Sequence, residues 1–327
     1  MSQRMAIVGC GAVGSFYGAK LCRAGHDVHF LLRSDYEHVR RHGVRILSIE
    51  GDFTVHPGCG RRAEEIGPCD LVLVALKTTA NDQFPDLIPP LLGAATAVVS
   101  LQNGLGDEEQ LAAVAGEERV LGGLCFVCLN RIAPGTIRHT AHGQIVLGEH
   151  GRSPLARTRA IADWLRAAGI PCAITADLAR AHWEKLVWNI PFNGLGVAGA
   201  AGLTALETGR LPPGRVPPAS LPTDRLLADP KWEEWIRALM GEVITAARAL
   251  GHAIDPGFAD DQVEKTRCMG AYKASTLLDF EHGLPLELGS LFLEPLRRAR
   301  AAGIPTPRLA ALCSVLEQLE ARRLKES

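Results

Sequence analysis

Three polar side chains recur at four-residue intervals in the stretch "HWEKLVWNIPFN", His182 to Asn193: Lys185, Asn189 and Asn193. On an α-helix each step of four residues advances about 40° around the axis, so the three share one broad face. A lysine ammonium beside a carbonyl oxygen can polarise it and donate a proton as hydride reaches the carbon. Asparagines next to it can hold hydroxyl or carboxylate groups. Trp183 and Trp188 read as the apolar surroundings of the lysine, lowering polarity and so favouring proton donation. Pro191 is expected to bend the helix or end its regular part. The plainer alternative is a snorkelling lysine with satisfied amides at a domain edge.

A second constellation stands near the start of the chain. "IVGCGAVG" places Gly9, Gly11 and Gly14 in GxGxxG spacing, directly after an apolar strand-like run and before a helix-like one. The first glycine permits the tight turn, the second lets backbone approach a pyrophosphate, and the third lets helix and strand pack closely. The helix N-terminus adds N–H groups and a partial positive charge. The loop Gly9, Cys10, Gly11, Ala12, Val13, Gly14 is therefore expected to bind a dinucleotide. At the end of the next strand, nineteen residues after Gly14, stands Arg33 in "HFLLRSD". An arginine there favours a ribose 2′-phosphate, hence NADP over NAD. Asp35, two residues on, could instead turn toward a free ribose. Lys77 follows "DLVLVAL" and Asn103 follows "AVVSLQ". Both stand past strand ends, where the ligand crevice of an open parallel sheet lies; the alternatives are an N-terminal helix lysine and an Asn-Gly turn.

These residues need a frame to position them. The first half alternates "RMAIVG", "AVGSFYGAKLCRAG", "DVHFLL", "CDLVLVAL" and "ATAVVSL". Strand and helix in alternation imply a parallel sheet with helices on both faces. "HGVRILSIEGDFTVHPG" reads as a hairpin, and "GGLCFVCLNR", "GTIRHTA" and "GQIVLGEH" as short antiparallel additions joined by glycine-containing turns. From about Asp177 the rhythm becomes helical, in "DLARAHWEKLVWN", "KWEEWIRALMGEVITAARALG", "LELGSLFLEPLRRARAAG" and "PRLAALCSVLEQLEARRLK". The proline-rich stretch "GRLPPGRVPPASLPTD" is expected as a surface loop within the helical half. The fold class expected is α/β, a doubly wound Rossmann-type sheet over 1–176 followed by an all-helical domain over 177–327.

At 327 residues the chain is long enough for two cores. Its 35 basic and 36 acidic residues leave a net charge of −1, which gives no electrostatic case for nucleic acid or a membrane surface. No apolar run reaches membrane-spanning length. Nine scattered cysteines with no signal peptide ahead of them read as reduced cytoplasmic thiols. Cys125 and Cys128 have CxxC spacing, but strand alternation would point them to opposite faces, so no metal site is expected.

The glycine loop, Arg33, Lys77, Gln102-Asn103-Gly104, "WEKLVWNIPFN", "KASTLLDFEHGLPLEL" and "GIPTP" follow one another in an order that resembles the ketopantoate reductases (2-dehydropantoate 2-reductases). The resemblance spans nearly the whole chain, and Lys-x3-Asn-x3-Asn is its most specific element. It implies a helical domain like that of 6-phosphogluconate dehydrogenase, and NADPH-dependent reduction of 2-dehydropantoate to pantoate, on the route to pantothenate and coenzyme A. It also implies roles: Lys185 as catalytic acid, Glu287 near the cofactor ribose and the reacting centre, Asn189, Asn193 and Ser275 on the substrate, Asn103 on both ligands. Thr276, Leu284, Gly289 and Leu203 depart from the family's common residues. A reductase of the same build acting on a different small 2-oxo acid is therefore a second reading, and a dinucleotide-binding redox sensor without turnover a third. The partner expected is a small branched 2-oxo acid, with a homodimer left open.

Overall fold

Met5 and Ile7 of the first strand pack into one apolar cluster, and Ala6 and Val8 into another. Leu71 and Leu73 divide from Val72 and Val74 in the same way. Strands buried on both faces read as continuous apolar runs, which is why "MAIV" and "LVLV" carry no polar alternation. The computed structural model describes residues 2–212 and 221–326. Residues 213–220 of the expected proline-rich loop, Pro217 among them, lie outside the described residues.

The chain divides into two units, Met1–Ala181 and His182–Ser327. Unit 1 carries one ten-stranded sheet. Its strands are β1 (Arg4–Val8), β2 (Asp27–Leu31), β3 (Val44–Ser48), β4 (Phe53–Val55), β5 (Gly58–Gly60), β6 (Cys69–Val74), β7 (Leu92–Ser100), β8 (Val120–Ala133), β9 (Thr136–Glu149) and β10 (Cys172–Ile174). Along β5-β2-β1-β6-β7-β8 every pairing is parallel. The chain leaves β1 toward β2 on one side and returns through β6 on the other. Such a reversal opens a ligand crevice at the carboxyl ends of the strands.

Beyond β7 the structure departs from the sequence reading. β8 is not simply an antiparallel addition: Val120–Gly122 pair parallel with β7 on one side, and Leu121–Ala133 run antiparallel to β9 on the other. "GTIRHTA" and "GQIVLGEH" are not two strands but one, β9. What read as a turn between them is a bulge, with His142 at φ 63°. The buried His139 ring holds it, with Nδ1 2.8 Å from Ser48 Oγ and Nε2 2.9 Å from the His142 carbonyl. One extra residue kinks a strand without ending it.

Among its described residues unit 2 is helical. The division between units falls inside the helix Leu178–Ala198, which runs on through Pro191, so the helix does not end there. Proline removes one N–H bond, to the Val187 carbonyl, and packing on both sides carries the helix past it. A Cβ on Gly194 would lie 2.6 Å from Leu312 and 2.9 Å from Phe292, so this helix seats closely against Pro307–Glu326. Pro230–Ala249 starts with Asp229, whose Oδ1 accepts from Lys231 N at 2.9 Å, and with a proline where no N–H is needed. Among the described residues no helix is long and apolar enough to cross a membrane.

Candidate active site

Gly9 sits at φ 96°, and a Cβ there would meet Leu76 N at 2.3 Å. A Cβ on Gly14 would lie 2.3 Å from the Gly9 carbonyl oxygen. These two glycines are demanded by the protein's own packing. Gly11 is different: nothing lies within 4 Å of where its Cβ would be. It is the residue before the helix Ala12–Arg23, whose first turn holds no acidic side chain and has no side-chain cap. The N–H groups of a first turn have no intrahelical acceptor, and the helix dipole favours an anion there. Backbone donors beside open space fit a pyrophosphate. Cys10 takes no part through its thiol, which donates to the carbonyls of Ile7 and Leu31 at 3.4 Å. Burial, then Cys59 and Asp35, push that thiol well above its usual range, so it stays protonated. Ala12 and Val13 open the helix and pack partly on the core.

The other expected residues of unit 1 stand past the carboxyl ends of three strands that flank this loop or lie next to it. Arg33 follows β2, is exposed, and its guanidinium has no ion pair among the described residues. Lys77 follows β6, exposed, directly before the short helix Thr78–Gln83. Asn103 follows β7 and is half-buried. Gln102 ties the last two loops together, donating through Nε2 to the Leu76 carbonyl at 2.9 Å and to Asn81 Oδ1 at 2.7 Å. The Ser100 hydroxyl donates to Asp107 and accepts from Gln102 N at 3.3 Å. Gln102 was legible only as a neighbour of Asn103; its structural task depends on Asn81, far from it in sequence.

The Asp35 carboxylate is engaged by groups of its own unit. It is buried, and Arg131 Nη2 and Nε, Gly135 N and the Ser34 hydroxyl donate to it at 2.5, 3.2, 3.1 and 3.1 Å. Burial alone would raise this carboxyl; the Arg131 and Gly135 hydrogen bonds, the Arg131 charge and the Ser34 hydroxyl outweigh it and hold it below the usual range. Nothing local in the sequence signals Arg131, because it approaches from the β8–β9 hairpin.

In unit 2 the Leu178–Ala198 helix sets Lys185, Asn189 and Asn193 along one face, with the lysine half-buried and both asparagines buried. Asn193 Oδ1 accepts from Thr276 N at 3.0 Å and from the Ser275 hydroxyl at 3.4 Å. It thereby caps the first turn of Ser275–Glu281 from outside and holds the exposed Ser275 next to its own amide. The two tryptophans do not share a role. Trp183 lies two residues before Lys185, about 160° around the helix. It is buried in the core, 6.4 Å from the His252 ring, and does not surround the lysine. Trp188 is about 60° away. It packs on Phe192 and Tyr272, and its indole N–H donates to Thr266 Oγ1 at 2.9 Å. Glu287 is buried and immediately precedes the helix that begins at Leu288, where a negative charge suits the N-terminus. That helix opens with a wide π turn, Gly289–Leu293, ahead of Pro295. Among the described residues no group of His, Cys, Asp and Glu side chains could hold a metal ion, and no cysteine forms a disulfide.

Known proteins match this arrangement along its length. The family model described as ketopantoate reductase PanE/ApbA matches residues 5–152, and that of the PanE/ApbA C-terminal domain matches 219–320. A 2-dehydropantoate 2-reductase of Nostoc is 38% identical over 98% of this chain and 96% of its own. The crystal structure of a 2-dehydropantoate 2-reductase from Geobacter metallireducens superposes with a TM-score of 0.87 at 46% identity, covering 96% of this chain and 99% of the other. D-mandelate dehydrogenase with NADH and anilino(oxo)acetate reaches a TM-score of 0.84 at 18% identity, covering 98% and 99%, a likeness of fold alone. A Rossmann-type sheet followed by a helical unit, matched by both family models and by a close full-length relative, places this chain in the ketopantoate reductase family.

Proposed function

We propose that this oxidoreductase reduces 2-dehydropantoate to pantoate with NADPH, and that Lys185 is the proton donor. The observation that carries the reading is the Lys185–Asn189–Asn193 face with Ser275 held against Asn193. A cation, two amides and a hydroxyl there match the needs of a small 2-oxo acid with a hydroxyl at its far end. The Gly11 backbone and the first turn of its helix receive the pyrophosphate, and exposed Arg33 receives the 2′-phosphate. Lys77 and Asn103, past the ends of β6 and β7, contact the same cofactor. Bound there, the reduced nicotinamide would supply hydride.

The protein's own part is to bind, orient and move a proton. Lys185 Nζ donates a hydrogen bond to the 2-oxo oxygen, stabilises the negative charge that grows on it, and gives up its proton as the alcohol forms. Asn189, Asn193 and Ser275 hold the carboxylate and the hydroxyl ends. Glu287 has the place near the cofactor ribose and the reacting centre that the family resemblance implies. The test is loss of NADPH absorbance over a panel of branched 2-oxo acids and pyruvate. 2-Dehydropantoate should lead the panel in kcat/KM; if pyruvate serves equally well, the pantoate reading is wrong although the family stands.

A further inference from the structure

We infer that Arg131 sets the choice of cofactor by occupying Asp35. An acid just past the second strand of a dinucleotide-binding sheet ordinarily accepts from the ribose 2′-hydroxyl and repels a 2′-phosphate. This chain carries such an acid, yet the residue two before it is Arg33, suited to the phosphate. The structure resolves the conflict with a third residue, 96 positions from Asp35.

A carboxylate has about four acceptor sites. On Asp35, Oδ1 takes Arg131 Nη2 and the Ser34 hydroxyl; Oδ2 takes Arg131 Nε and Gly135 N. All four are filled, and none remains for a ribose hydroxyl. The fork of two nitrogens from one guanidinium fixes the carboxylate plane as well as its charge. Arg131 lies near the end of β8 and Gly135 in the turn to β9, so the hairpin tip reaches the β2 loop and holds it. The Cys10 thiol of the glycine loop donates to the carbonyl of Leu31, the last residue of β2, so Asp35 stands in the loop that follows the strand next to the glycine loop. Its charge is neutralised there by Arg131, while Arg33 stays exposed with no ion pair among the described residues.

Arg131 is thus a positioning residue: it acts on the cofactor through Asp35. The inference rests on the NADPH reading, and the experiment separates the two. The parent protein, Arg33→Ala, Arg131→Met, Asp35→Asn and the double variant Arg131→Met/Asp35→Asn are compared in kcat/KM for NADPH and for NADH. Arg131→Met frees a carboxylate and an uncompensated charge. The NADPH-to-NADH preference should fall by about tenfold, mostly through KM. Asp35→Asn in the same chain removes that charge and should restore the preference. A purely structural hairpin contact would instead weaken both cofactors alike, and Asp35→Asn would bring nothing back; that result overturns the inference. Should the parent prefer NADH, both the inference and the NADPH reading fall. A parent that prefers NADPH, loses that preference in Arg33→Ala, and keeps it in Arg131→Met refutes the inference alone.

Discussion

Replacing Asn193 by Ala removes the acceptor that holds a buried backbone donor. Thr276 N loses its 3.0 Å partner, and the first turn of Ser275–Glu281 loses its cap. A buried donor left unsatisfied costs about 1–3 kcal/mol, and loss of a capping acceptor about 0.5–2 kcal/mol. The two figures describe the same bond and do not add, so about 1–2 kcal/mol is expected. For a unit of this size that lowers Tm by roughly 2–8 °C. Asn193→Asp separates this task from substrate binding. An aspartate keeps an oxygen where Thr276 N needs one, and its charge suits a helix N-terminus. Its Tm should stay within about 2 °C of the parent. It also replaces the amide N–H₂ donor with an anion facing an anionic substrate, so KM for the oxo acid should rise about tenfold or more. NADPH binding should not change in either variant. Thermal melts and steady-state kinetics on the two proteins decide the matter. Asn193→Asp melting as low as Asn193→Ala, or Asn193→Ala melting with the parent, would show that the cap does not hold Ser275 in place.

Two further outcomes follow from the same geometry. Lys185→Ala should leave the melt and NADPH affinity near the parent and cut turnover by about 10²–10⁴; turnover within a few-fold of the parent would leave Lys185 a structural lysine. Gly11→Ala meets open space and should fold normally while binding the dinucleotide more weakly, whereas Gly9→Ala, forced to φ 96° with its Cβ 2.3 Å from Leu76 N, should lower the melt itself. Equal stability of these two glycine variants would contradict the assignment of Gly11 to the ligand.

The features legible in the sequence are those whose cause is local. A period of four residues places Lys185, Asn189 and Asn193 on one face because helix geometry repeats every turn, whatever lies around it. The glycine spacing marks a strand, turn and helix for the same reason, and apolar runs such as "LVLV" announce strands buried on both faces. Tertiary structure decided which partners those residues meet. Asp35 and Arg131 are 96 positions apart, and Asn193 and Thr276 83, so no window of sequence contains either pair. Helix geometry already sets Trp183 and Trp188 about 160° and about 60° from Lys185; tertiary structure decided what each meets, the core beside the His252 ring for one and Thr266 for the other. Pro191 on its own signals a bend or an end, and His142-Gly143 a turn; the helix runs on through the first, and the His139 hydrogen bonds made the second a bulge in one long strand. Local chemistry states what each residue can do. Which of its bonds are already taken depends on contacts between segments that the chain brings together only on folding.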